Sequence, residues 1–176
     1  QPGKPPEKKK EAKQELEEMR TEYFSGYKGD KIAVHFFGNK KQVLIVWPGL
    51  ALTYRTKDFY ALIEELEKQY TVIVPDMRGH GESKGEVSYK FLKEDIRSIT
   101  PQLLAKYPDA IIFGYSISGS AIIEQLTAMP VPGTIVFAPP HDISEVFPKA
   151  YLMLMKIPVL RSIILRLSLI ILNLQN

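Results

Sequence analysis

At 176 residues the chain is long enough for one domain with a sizeable core and short for two. A content of 45% hydrophobic, 24% charged and 10% aromatic residues excludes collagen-like, coiled-coil and wholly disordered chains, and the lack of Cys excludes thiol nucleophiles and cysteine zinc sites. The net charge of +3 is local: residues 1–150 balance, and the excess comes from Lys156, Arg161 and Arg166 in the most apolar stretch, which argues against a nucleic-acid surface.

Gln1–Lys10 is rich in Pro and Lys and holds no large apolar residue, so a loose start is expected. From Glu7 to Arg20 blocks of Glu and Lys alternate around Ala12, Leu16 and Met19, the pattern of a solvated helix or arm with i,i+4 charge pairs. This arm, residues 1–20, lacks the apolar run of an intact signal peptide, and Gln at position 1 is consistent with a processed start.

The period then changes to two. Glu22–Tyr27 and Ile32–Phe37 read as strands joined by a Lys28-Gly29-Asp30 turn, and Gln42–Trp47 reads as a buried strand after a second turn at 38–41. From there helices alternate with strands. The helices are Asp58–Gln69, Ser88–Lys106 (kinked or interrupted at Pro101) and Ile117–Ala128; the strands are Thr71–Pro75, Ala110–Phe113 and Thr134–Ala138. Short apolar strands alternating with amphipathic helices predict an α/β fold. Its sheet is mostly parallel, with helices on both faces and an antiparallel N-terminal hairpin at one side.

The richest segment chemically is Ala110–Gly119, A-I-I-F-G-Y-S-I-S-G. A buried strand runs into Gly114-Tyr115-Ser116-Ile117-Ser118 and a helix starts at once. A serine on such a turn is strained, with its hydroxyl pointing outward and the unpaired N–H groups of a helix start beside it. Small residues two places before and after the serine let strand and helix pass closely, and Ser118 stands here where G-x-S-x-G has its last glycine. The plainer reading is a serine in an ordinary β–α turn or N-cap. A shifted frame, with Ser118 as nucleophile, would begin the turn two residues beyond the apolar strand.

Two further loops follow strands: Trp47-Pro48-Gly49-Leu50, and Pro75-Asp76-Met77-Arg78-Gly79-His80-Gly81-Glu82-Ser83. Taken with the serine turn, residues Glu22 to Pro140 resemble the α/β-hydrolase superfamily. The RGHGES-x-G wording is most similar to the monoacylglycerol lipase, lysophospholipase and serine aminopeptidase branch. The resemblance implies Ser116 as nucleophile, with the backbone N–H groups of Ile117 and Leu50 as oxyanion donors. It implies that Tyr115, Gly49 and Leu50 border the acyl site, and that Asp76, Arg78, Gly79 and Gly81 build a structural loop. This chain has Pro48-Gly49 where the family usually has His-Gly. No metal or organic cofactor is implied.

A serine nucleophile needs a general base oriented by an acid, in the family order Ser, acid, His. After Ser116 come one histidine, His141, and the acids Glu124, Asp142 and Glu145; only Glu124 lies between serine and histidine, in the helix leaving the turn. The expectation is therefore an incomplete hydrolase core over residues 21–142, lacking the strands that deliver base and acid, and inactive by itself. Residues 143–176 read as an apolar cap or lid segment, and 17 of the last 26 residues are apolar. A helix from Val159 to Leu174 could be that lid, a membrane-surface helix, or a core helix packed on other parts. The expected reaction is cleavage of a carboxylic ester of lipid-like acyl character, with membrane-surface contact through residues 151–176. A non-catalytic binding or membrane-associated module on the same truncated fold is the alternative.

Overall fold

Strand-forming apolar residues dominate six short segments of the computed structural model, which describes residues 19–139. β1 (Arg20–Ser25) and β2 (Lys31–Phe37) pair antiparallel across a tight turn at Tyr27–Gly29, with Ser25 opposite Lys31. β3 (Val43–Trp47), α1 (Lys57–Glu67), β4 (Thr71–Pro75), α2 (Tyr89–Lys106), β5 (Ile111–Tyr115), α3 (Ile117–Ile123) and β6 (Gly133–Phe137) follow in chain order. Together the strands make one sheet in the order β1-β2-β4-β3-β5-β6. β2 joins β4 antiparallel, and the pairs β3–β4, β3–β5 and β5–β6 are parallel.

Alternation along the strands divides the core into two layers. Leu44, Val46, Val72 and Val74 point to one face, where Phe59 and Ile63 of α1 and the ring of Tyr54 cover them. Ile45, Trp47, Ile73 and Ile112 point to the other, under Leu92, Ile96, Ile99 and Leu103 of α2 and Ile117, Ala121 and Ile122 of α3. Each fully buried Leu or Ile contributes roughly 1.5–3 kcal/mol, so the α2 stripe holds that helix without help from its caps. Among the described residues no helix is long and apolar enough to cross a membrane.

Two expectations need correction. α2 is not interrupted at Pro101 and continues through it as one helix. The proline removes the N–H that would bond the carbonyl of Arg97 and crowds that carbonyl, but the turn faces solvent, where water can replace the bond. α3 is shorter than the predicted Ile117–Ala128. After Ile123 the chain tightens into i→i+3 bonds, Gln125 N to Ile122 O and Leu126 N to Ile123 O, and Pro130 disfavours helix at the residue before it. The N-terminal arm up to residue 18, His141, Asp142, Glu145 and the whole predicted lid lie outside the described residues.

Candidate active site

β3 and β5 are parallel neighbours, with Trp47 opposite Gly114, so the loops leaving their C-terminal ends start side by side. They lead to helices on opposite faces, α1 after β3 and α3 after β5. A crevice at such a switch point is where open α/β sheets bind ligands. The Trp47 indole N–H donates to Thr100 Oγ1 at 3.2 Å, fixing the end of β3 to α2.

Ser116 lies where β5 becomes α3, with φ 53° and ψ −124°. A non-glycine residue there carries about 1–3 kcal/mol of strain. The turn is held from both sides: Ser116 N–H donates to Phe137 O at 2.9 Å, and Gly119 N–H to Ser116 O at 2.8 Å. Ser116 occupies the N-cap position of α3 yet makes no side-chain capping bond, so the ordinary N-cap reading does not describe it. A β-carbon at Gly114 would stand 2.7 Å from Gly119 Cα, so the close passage of strand and helix rests on Gly114 and Gly119, one place beyond the residue expected to need small size. Ser118 has a different task. It is fully buried, and its hydroxyl donates to Pro48 O at 2.5 Å, which removes it from any reaction with a bound substrate.

The loop after β3 lies directly against the turn. A β-carbon at Gly49 would be 3.0 Å from Tyr115 Cδ1 and 3.2 Å from Ser116 Cβ. The loop closes with Leu52 N–H donating to Gly49 O at 3.2 Å, which places Ala51 in the left-handed region at φ 62°. Neither Leu50 N–H nor Ile117 N–H donates to another described residue. Tyr115 stacks on Phe137 with centroids 5.6 Å apart, and Phe137 is 56% exposed, so an apolar wall lies beside the serine.

The loop after β4 is tied together internally. The buried carboxylate of Asp76 accepts from His35 Nε2 at 2.9 Å and from Glu82 N–H at 2.8 Å. Asp76 and Arg78 do not pair with each other. Arg78 is forked onto Asp95 of α2 (Nε–Oδ2 2.9 Å, Nη2–Oδ1 2.7 Å), bonds Asp30, and donates to Tyr27 O at 2.8 Å. These partners outweigh the cost of burial and raise the guanidinium pKa further. Gly81 sits at φ 51°, and a β-carbon there would fall 2.1 Å from Asp76 Oδ2; Gly79 is also left-handed, at φ 70°. His80 joins this loop to the one after β3, because Ala51 N–H donates to its Nε2 at 3.2 Å. Glu124 is engaged away from the serine. Burial raises its pKa, but the hydrogen bonds from Lys93 and Tyr89 lower it more, leaving it below the ordinary carboxylate value.

A family model described as the alpha/beta hydrolase fold matches residues 42–132, just over half of the chain. The chain belongs to the α/β-hydrolase family. Solved structures agree in fold: an esterase of Pyrococcus furiosus superposes with a TM-score of 0.65 at 19% identity, over 86% of this chain and 62% of that one. A serine hydrolase without a lid from Xanthomonas campestris gives 0.60 at 19% identity, over 70% of this chain and 62% of its own. A serine hydrolase homologue from Coxiella burnetii gives 0.58 at 18%, over 76% and 66%. The chain thus spans about three fifths of the first two structures. No curated protein sequence gives a significant match.

Ser116, Tyr115, Gly49 and Leu50 are brought together at the crevice, whereas Asp76, Arg78, Gly79 and Gly81 form the neighbouring loop. The sequence reading missed the partners Asp95 and Asp30 and the ties made by His80 and Ser118. One signal was available: Asp95 falls between Leu92 and Ile96, on the apolar stripe of α2, where a carboxylate requires a buried cation.

Proposed function

We propose that the protein is a serine hydrolase of carboxylic esters with lipid-like acyl groups, acting through an acyl-enzyme on Ser116. The branch resemblance and the apolar wall of Tyr115 and Phe137 beside the serine support the acyl preference. One observation carries the reading. A strained serine stands at the switch point, followed in the chain by Ile117 and packed against the loop that carries Leu50, and the N–H groups of these two residues bond no other described residue.

In this reading Ser116 Oγ attacks the acyl carbon while its proton passes to a histidine base. The carbonyl π pair moves onto oxygen, where the two N–H groups hold it. The ester C–O bond then breaks, and the base returns the proton to the departing alkoxide. Water hydrolyses the acyl-serine by the same steps, releasing the acid. Loss of one oxyanion donor in such a site costs about 2.7–4 kcal/mol of transition-state stabilisation.

Neither described histidine is placed to be the base. His35 is fully buried between Thr21 Oγ1 and Asp76 Oδ2, and both ring nitrogens of His80 are engaged. We therefore assign base and acid to chain outside residues 19–139; because only Glu124 lies between Ser116 and His141, against the order Ser, acid, His, we propose that residues 1–176 alone are inactive. In the complete protein Ser116→Ala should lower hydrolysis of p-nitrophenyl esters at least about 10⁴-fold. Unchanged hydrolysis would reject the nucleophile. A complete protein that binds acyl chains without turnover would favour a binding module.

A further inference from the structure

The loop that offers Leu50 N–H is anchored at each end by a side chain with no place in the reaction just described. Before Leu50, Pro48 O accepts the hydroxyl of buried Ser118 at 2.5 Å. After it, Ala51 N–H donates to His80 Nε2 at 3.2 Å. Between these anchors Ala51 has φ 62°, a conformation a non-glycine residue keeps only when its surroundings hold it there.

The partners of His80 determine its protonation pattern. Arg78 O, 3.0 Å from Nδ1, can only accept, so Nδ1 carries the hydrogen. Ala51 N–H can only donate, so Nε2 is an unprotonated acceptor. His80 is 7% exposed and leads from the Arg78–Asp95 ion pair to the loop after β3. Ser118 leads from α3, whose first N–H is the other proposed donor. The loop is therefore fixed to both elements that border the crevice.

We infer that His80 and Ser118 are positioning residues that aim the Leu50 N–H at the oxyanion, His80 as the neutral imidazole with hydrogen on Nδ1. This rests on the hydrolase reading above. A donor misaimed by a released loop stabilises the transition state less, without changing how the ground-state ester binds, so the loss falls on kcat.

The test uses the complete protein and a p-nitrophenyl ester, with melting temperatures recorded for every variant. His80→Phe keeps ring volume and removes the acceptor; it should lower kcat about 10- to 100-fold, less than the full loss of one oxyanion donor, with KM within about twofold. Ser118→Ala should lower kcat in the same direction. His80→Gln, whose side-chain oxygen can accept from Ala51, should recover part of the loss. The ¹⁵N spectrum of wild-type His80 at neutral pH should show Nδ1 protonated and Nε2 bare, a readout independent of turnover. The inference is overturned by an unchanged kcat in His80→Phe, by equal losses in His80→Gln and His80→Phe, by a loss confined to KM, or by a protonated Nε2. Should Ser116→Ala retain full activity, the hydrolase reading fails first. Should Ser116→Ala be inactive while His80→Phe is not, only this inference fails.

Discussion

The loop after β4 and the crevice between the ends of β3 and β5 lie one strand apart and are built on opposite principles. In the first, polar groups answer each other: Arg78 is held by two carboxylates and a carbonyl, and Asp76 by His35 and Glu82 N–H. Within this loop, Asp76 Oδ1 is the one buried polar side-chain atom with no hydrogen-bond partner among the described residues. In the crevice, the hydroxyl of a strained serine and two N–H groups are left without partners among those residues. Satisfied polar groups make a scaffold, whereas unsatisfied ones, held in place by that scaffold, can do chemistry. His80 and Ser118 belong to the scaffold and touch the crevice loop directly.

If this contrast is right, damage to the two regions has different signatures. Asp95→Ala should have the largest effect on stability. It leaves the Arg78 guanidinium, 3% exposed, short of its main counter-charge, and removing one partner of a buried ion pair costs about 3–5 kcal/mol. Urea unfolding measures it, and a loss under about 1 kcal/mol would show that the network is not structural. Gly81→Ala comes next, at about 2–3 kcal/mol in the same assay, because the left-handed backbone disfavours alanine and the new carbon displaces the Asp76 carboxylate.

Ser116→Gly should change the sign. Glycine accepts φ 53° without strain, so stability should rise by about 1 kcal/mol while hydrolysis is lost. A destabilised Ser116→Gly would mean that the serine is a scaffold residue after all. The smallest effect belongs to Glu124, whose side chain is 47% exposed, so solvent screening limits its ion pair to less than about 1 kcal/mol. Against the opposing effect of burial, hydrogen bonds from Lys93 and Tyr89 hold its folded pKa below the ordinary carboxylate value. Its contribution is therefore present above that pH and is lost as pH falls through the lower folded value. Glu124→Gln has no such contribution to lose, so it should be the less stable of the two near pH 6 and the gap should close on acidification, as thermal melts from pH 6 to pH 3 would show.

The fold was legible because short apolar runs bounded by turns and the stripes of α1 and α2 are strong signals: Thr71–Pro75 lies where its apolar run placed it, and the other strands shift by one or two residues. The serine turn was legible because strain of this kind demands small neighbours in fixed order. Less was legible where tertiary contacts decide. Nothing local in I-S-G says that Ser118 donates to a carbonyl 70 residues away, or that Gly119 rather than residue 118 meets Gly114. The end of α3 was misjudged because Leu126 and Ala128 continue an acceptable helical pattern while local i→i+3 bonds end the helix sooner. His80 was read as part of a loop motif, although its tie to Ala51 follows only from the neighbouring strand order.

The most direct test of the account is covalent labelling of the complete protein with a fluorophosphonate. This reagent phosphonylates a serine activated by a base and places the P=O oxygen where an oxyanion would sit. Peptide mass mapping should find one adduct, on Ser116, and none in Ser116→Ala. Labelling that persists in Ser116→Ala, or no adduct in a folded complete protein, would contradict the claim that this turn carries the nucleophile.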